Sequence, residues 1–198
     1  MDIAQRIKQN FNENIQTNML AADEITDDIA KAAELIVQSL LGEHKILSCG
    51  NGVCAASALR LTANLQSRYE AERPSLPAIA LNGDSTTLSA IATDSSFDEV
   101  YAKRIKALGN EGDILLAITG NDGAKNIIKA IEAAHWRKLK VITLSGSECD
   151  AITSILNEDD INIRVPSDIS ARIQETHTLI IHCLCDIIDR QLFETGEA

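Results

Sequence analysis

The chain predicts an α/β fold: an open parallel sheet covered by helices on both faces, three layers in all. Three observations carry this. Short apolar runs alternate with longer helical stretches. The runs are continuous rather than alternating, as in Ile114 to Ile118 (ILLAI) and Val141 to Leu144 (VITL), which suits strands buried on both sides. The first run also leads through Gly50 and Gly52 into an alanine-rich helix, a turn in which the backbone can approach a ligand closely.

The elements follow in order. Ile3, Ile7, Phe11 and Ile15 recur every fourth residue and draw an apolar stripe along one long N-terminal helix. A second helix runs from about Asp27 to Leu41. Strand Lys45 to Cys49, helix Cys54 to Tyr69 and strand Pro77 to Leu81 come next, then helical material from Ser85 to Leu108. Within it Ser96 and Glu99 form S-x-x-E, which predicts a capping box ahead of Val100. Strand Asp113 to Ile118, helix Ala124 to Trp136, strand Lys140 to Leu144 and strand Ile161 to Val165 complete the alternation. A last long helix spans Ser170 to Phe193.

No Pro/Gly/Ser-rich linker divides the 198 residues, of which 45% are hydrophobic, so one domain with one good-sized core is expected. It comprises N-terminal helices over 1–41, a parallel core over 45–165, the C-terminal helix over 170–193 and an acidic tail over 194–198. The stripe on the first helix and the apolar Leu179 to Ile188 on the last exceed what a small sheet covers, which predicts association through helices.

A formal charge of -11 argues against a nucleic-acid backbone as partner, since affinity there comes from clustered Lys and Arg. Five cysteines, Cys49, Cys54, Cys149, Cys183 and Cys185, lack the regular pairing of a disulfide framework and fit a reducing cytoplasm. The first residues do not form a secretory signal, and no apolar run reaches the roughly 18 residues of a membrane span. A cytoplasmic protein is expected.

In an open parallel sheet, ligands sit beyond the carboxyl ends of the strands. Here those ends carry Gly50 to Cys54, Asn82 to Ser85, Thr119 to Gly123 and Ser145 to Ser147. Each loop alone also has the composition that any turn uses. Together they predict a polar crevice, with an anion at the start of the helix after Gly52. That helix carries no group suited to proton transfer, because its inner-face candidates are Arg60, Ala63 and Asn64. GNGVCA also fits a dinucleotide fingerprint, but the acidic partner about 20 residues on is missing. Cys54 at a helix start has the place of an activated thiol; with no His near it in sequence, packing is the simpler role. Cys183 and Cys185 diverge on their helix and form no local metal pair. Gln174, Thr178 and His182 lie four apart along one side of the last helix, and His177 faces elsewhere. His182 in so apolar a segment is either a ligand or general acid, or a hydrogen-bonded packing residue.

SCGNG after a strand, Glu72 to Asn82 (ERPSLPAIALN), Asp98 to Lys103 (DEVYAK), Gly112 to Ile118 (GDILLAI) and Ala171 to Glu175 (ARIQE) resemble the SIS (sugar isomerase) domain family, near the phosphoheptose isomerases, over nearly the whole chain. Within the family, Glu72 to Asn82, Cys183 to Asp186 (CLCD) and the terminal Leu192-Phe193 look most like proteins that bind the replication initiator DnaA. The resemblance implies a flavodoxin-like sheet, a homotetramer with helices at its centre and a sugar-phosphate crevice that engages Asn51, Gly52, Cys54, Thr119 and Asn121. It implies no metal and no cofactor. Where the isomerases carry a His and a Glu on the helix after SCGNG, this chain has Arg60 and Asn64, while Gln174 and His182 match the family's Gln and His. Asp122 in the phosphate loop would repel the anion. The function so implied is a non-enzymatic regulator that binds DnaA through Leu192 and Phe193, those two residues alternatively closing a seam between subunits. It touches neither nucleic acid nor membrane. The alternative is an isomerase of sedoheptulose 7-phosphate using His182, or a sensor that only binds a sugar phosphate.

Overall fold

The computed structural model describes residues 2–121 and 123–193. Helices α1 (Ile3–Glu24) and α2 (Thr26–Leu41) precede β1 (Ile46–Gly50), α3 (Val53–Gln66), β2 (Ala78–Ala80) and α4 (Ser85–Asp94). There follow α5 (Val100–Leu108), β3 (Ile114–Ile118), α6 (Lys125–Trp136), β4 (Lys140–Gly146), α7 (Asp150–Thr153), β5 (Ile161–Val165) and α8 (Ser170–Phe193). The five strands form one parallel sheet in the order β2-β1-β3-β4-β5, with Ile46 beside both Ala78 and Ile114, and Ile114 beside Lys140. Because β2 lies on one side of β1 and β3 on the other, the chain reverses its direction of travel there. The helices after β1 and β3 therefore leave on opposite faces and open a crevice at the carboxyl ends of those strands.

The central strands β1, β3 and β4 are buried on both faces, the edge strands β2 and β5 only in part, and each face has its own apolar layer. Ile36, Leu61, Ile181 and Leu184 bring α2, α3 and α8 against one side; Tyr101, Ile105, Ile127 and Ile131 bring α5 and α6 against the other. Polar residues fix the register at the sheet's lower end. Asp113, with a side chain only 2% exposed, accepts from Lys45 N at 2.9 Å and Asn110 N at 2.8 Å and pairs with Lys45 Nζ at 2.5 Å. That carboxylate holds two loops, and β3 starts one residue later.

Several expected boundaries move, each for a local reason. The helix after β1 stops at Gln66 rather than Tyr69 because Arg73 takes over its last carbonyls, donating to Asn64 O at 2.7 Å and Leu65 O at 2.8 Å. These are the groups that a helix end leaves without partners. The Arg73 guanidinium is itself buried and bonds Asp189 of α8 at 2.7 Å. The stretch 85–108 is two helices separated by a 3-10 turn over Phe97–Glu99. The capping box does not form: Ser96 makes no side-chain cap, and the Glu99 carboxylate meets Lys129 of α6 at 2.5 Å, an ion pair that competes with capping. The four-residue α7 is too short to leave a periodic signal.

The surplus of apolar surface falls mainly on α1, with Leu179 the exposed member of the apolar run on α8. On α8, Ile173, Ile180, Ile181, Leu184 and Ile188 are buried within the chain. On α1 only Thr17 and Ala21 are buried, and Ile3, Ile7, Phe11, Ile15 and Met19 are each more than half exposed, Phe11 by 68%. Among the described residues no helix is long and apolar enough to cross a membrane.

Candidate functional site

The crevice has a volume of about 490 Å³ and three walls. Asn51, Val53 and Cys54 come from the turn after β1; Thr119, Gly120 and Asn121 follow β3; Ser170, Ile173 and Gln174 lie in the first turns of α8. Five of the residues singled out in the sequence are thus brought together: Asn51, Cys54, Thr119, Asn121 and Gln174. Gly52 shapes the turn, with φ +53. Gly50 is required by closeness, since a Cβ there would lie 2.6 Å from the carbonyl carbon of Cys54.

The turn delivers donors. Cys54 N bonds Asn51 O at 2.9 Å and Ala55 N bonds Gly52 O at 3.1 Å, while the N–H groups of Gly52 and Val53 find no acceptor among the described residues. At the start of a 14-residue helix those two groups and the helix dipole favour an anion. The side chains differ in availability. Asn51 has its amide fully engaged with Asn126, Nδ2 of each donating to Oδ1 of the other at 2.8 Å. Asn121 donates to Asp168 O at 3.0 Å and accepts from Glu148 N at 3.3 Å. Both line the crevice as structure. The Gln174 amide has no side-chain partner among the described residues and is the group left to meet a ligand. Asp122, expected to repel an anion, lies outside the described residues.

The residues weighed for proton transfer sit apart from this cavity. His182 is eight residues beyond Gln174 on α8, about 12 Å along the helix. Its ring lies 5.6 Å from that of Tyr69, tilted by 36°. Asn64, on the facing helix α3, donates to Cys185 Sγ at 3.7 Å. Burial pushes that thiol up to about 11, so it stays protonated near neutral pH. Arg60 is exposed on α3. His177, as expected, turns away from the crevice: it is buried, and its Nε2–H donates to Ser145 O at 3.3 Å. No group of three or more His, Cys, Asp or Glu among the described residues could hold a metal ion.

Leu192 and Phe193 have neighbours of their own. Leu192 is half-buried against the α2–α3–α8 layer, and the Phe193 ring lies 5.9 Å from the Arg73 guanidinium carbon, 37% exposed. Sequence reasoning missed Tyr69, Tyr101, Asn126 and Ser170. Asn126 had a signal, a polar residue in the otherwise apolar inner face of α6; Tyr69 and Ser170 had none.

A parallel sheet of this order, with a glycine turn at its switch point and a last helix closing the crevice, defines an open α/β fold whose ligand crevice lies at the carboxyl ends of β1 and β3. The profile of the SIS domain matches residues 10–146, and the chain belongs to that family. It lies close to the phosphoheptose isomerases. A phosphoheptose isomerase of Coxiella burnetii (strain RSA 493 / Nine Mile phase I) is 52% identical over 197 residues, covering 100% of this chain and 99% of that protein. The solved structure of a phosphoheptose isomerase from Francisella tularensis is 45% identical with a TM-score of 0.92, covering 96% of this chain and 100% of that one. Phosphoheptose isomerase GmhA from Neisseria gonorrhoeae is 38% identical with a TM-score of 0.89, over 94% and 98% of the two chains.

These likenesses correct the reading of the chain as a replication regulator that binds DnaA. Relatives that match it from end to end carry the name phosphoheptose isomerase, and the narrower likeness to initiator-associating proteins of the DiaA type gives way to them. That reading leaned on Glu72 to Asn82, Cys183 to Asp186, Leu192-Phe193 and the residues at 60 and 64, short stretches set against likenesses that span the whole chain.

Proposed function

We propose that the chain acts on a phosphorylated seven-carbon ketose, sedoheptulose 7-phosphate or a close relative, and interconverts it with the aldose. The observation that carries this is the crevice, with two unengaged N–H groups at a helix start and the Gln174 amide facing them, in a chain 52% identical over its whole length to a phosphoheptose isomerase. The phosphate sits on the Gly52 and Val53 N–H groups. The sugar's carbonyl end then points along α8 toward His182, which lies beyond the cavity, about 12 Å from Gln174 along the helix. Moving the carbonyl from C2 to C1 requires a base that takes a proton from C1 and returns one to C2, and His182 is the imidazole on that path. A cytoplasmic homotetramer held through the exposed face of α1 is part of the same proposal, supported by the six large apolar residues that α1 leaves in solvent, Leu20 with the five named above.

A second reading is supported by one observation: Asn64, at the position where the family resemblance implies a Glu, donates to Cys185 Sγ, and an amide moves no proton. On that reading the protein binds the phosphosugar and does not turn it over. Incubation with sedoheptulose 7-phosphate separates the two. Turnover lost in His182→Ala supports the isomerase; saturable binding without turnover supports the sensor; no binding refutes both.

A further inference from the structure

Two walls of the crevice belong to different strand–helix units, and one side-chain pair joins them. Asn51 stands in the turn after β1 and Asn126 in the first turn of α6, 75 residues later, and their amides close on each other through two bonds of 2.8 Å. Tyr101 of α5 completes the group: its hydroxyl donates to Gly50 O at 2.5 Å and lies 3.3 Å from Asn51 Oδ1. Asn126 and Tyr101 are each 2% exposed, and neither lines the crevice. The layer around them is otherwise apolar, built from Leu47, Ile127 and Ile131. Polar groups in such a place cost free energy unless every bond is made, and packing alone would be served by an apolar residue. What this group fixes is the conformation of Gly50 to Gly52, whose glycines would otherwise leave the turn loose.

We propose that Asn126, supported by Tyr101, is a positioning residue for the anion site: it braces the β1–α3 turn so that the Gly52 and Val53 N–H groups aim into the crevice. The inference rests on the reading of the crevice as a phosphate site. The brace orders the turn before the ligand arrives, so binding does not bear that ordering cost. Without it, the half-buried Asn51 amide is released toward the cavity and competes for the same donors.

The test is calorimetric titration of the full chain with sedoheptulose 7-phosphate and with inorganic phosphate, alongside thermal unfolding. Asn126→Ala is expected to bind about tenfold more weakly. Asn126→Asp keeps the acceptor for Asn51 Nδ2 and loses the donor, so it guards against collapse of the first variant and is expected to weaken binding in the same direction. The Asn51→Ala, Asn126→Ala double variant is expected to bind no worse than either single one, because the brace is already gone. Additive losses would show Asn51 meeting the ligand directly and overturn the inference. So would wild-type affinity in folded Asn126→Ala and Asn126→Asp. A wild-type chain that takes up neither probe overturns the reading of the crevice and this inference together. Hydrogen exchange at the Cys54 and Ala55 amides, bonded to Asn51 O and Gly52 O, tests the brace without ligand. It is expected to quicken in Asn126→Ala, and unchanged exchange overturns the brace whatever the titration shows.

Discussion

His177 makes the stability of this fold depend on pH between about 6.5 and 4. The residue is 1% exposed, its Nε2–H is spent on Ser145 O, and its Nδ1 meets no partner among the described residues. Burial disfavours the charged ring and pushes its pKa from 6.5 down to about 4. Between those values the unfolded chain binds the proton and the folded one refuses it, so stability is complete above pH 6.5 and falls as pH falls toward 4. At about 1.4 kcal/mol per pK unit the full loss is about 3 kcal/mol, of which about 2 kcal/mol is gone by pH 5. Urea unfolding of wild type and His177→Gln from pH 8 to 5, at one protein concentration, isolates the imidazole, because other groups titrate in both proteins. The variant is expected to be the less stable at pH 8 and to gain about 2 kcal/mol on wild type by pH 5. Parallel curves, or a His177 resonance that titrates near 6.5, would refute the argument.

Other consequences are as direct. Arg73→Ala leaves Asp189 and the α3 carbonyls without their partner and is expected to cost about 3–5 kcal/mol in denaturant unfolding, as for other broken buried pairs. Gln174→Ala is expected to weaken phosphosugar binding by about fivefold to tenfold in titration, with the melting temperature nearly unchanged, since the amide bonds no side chain among the described residues. Ile7→Asp with Phe11→Asp places charges on the exposed α1 stripe and is expected to yield smaller assemblies by light scattering. A retained tetramer would locate the interface elsewhere.

Much of the fold was legible because burial on both faces makes parallel strands into unbroken apolar runs, and β3 and β4 announce themselves that way. The long α8 was legible from its apolar length alone. Capping chemistry was less reliable. Ser96 and Glu99 have the spacing of a capping box, but Lys129, from another element, claims the carboxylate. Helix α3 ends early through Arg73, whose effect on Asn64 and Leu65 is visible only once the chain folds back. The candidate site divides in the same way. Gly50, Gly52, Thr119 and Gln174 could be placed from the order of strands and loops. That Asn51 and Asn121 spend their amides on the protein depended on partners far along the chain.

From the sequence alone came the alternation of strands and helices, the anion-receiving turn and the absence of a carboxylate at positions 60 and 64, because these are properties of local pattern and residue type. The tertiary structure decided which polar groups remain available to a ligand. It left Gln174 open, closed Asn51 onto Asn126 and buried His177 against Ser145. Hydrogen-bond capacity is used up by whichever partner folding brings within about 3 Å, and that partner is set by topology rather than by nearness in the chain.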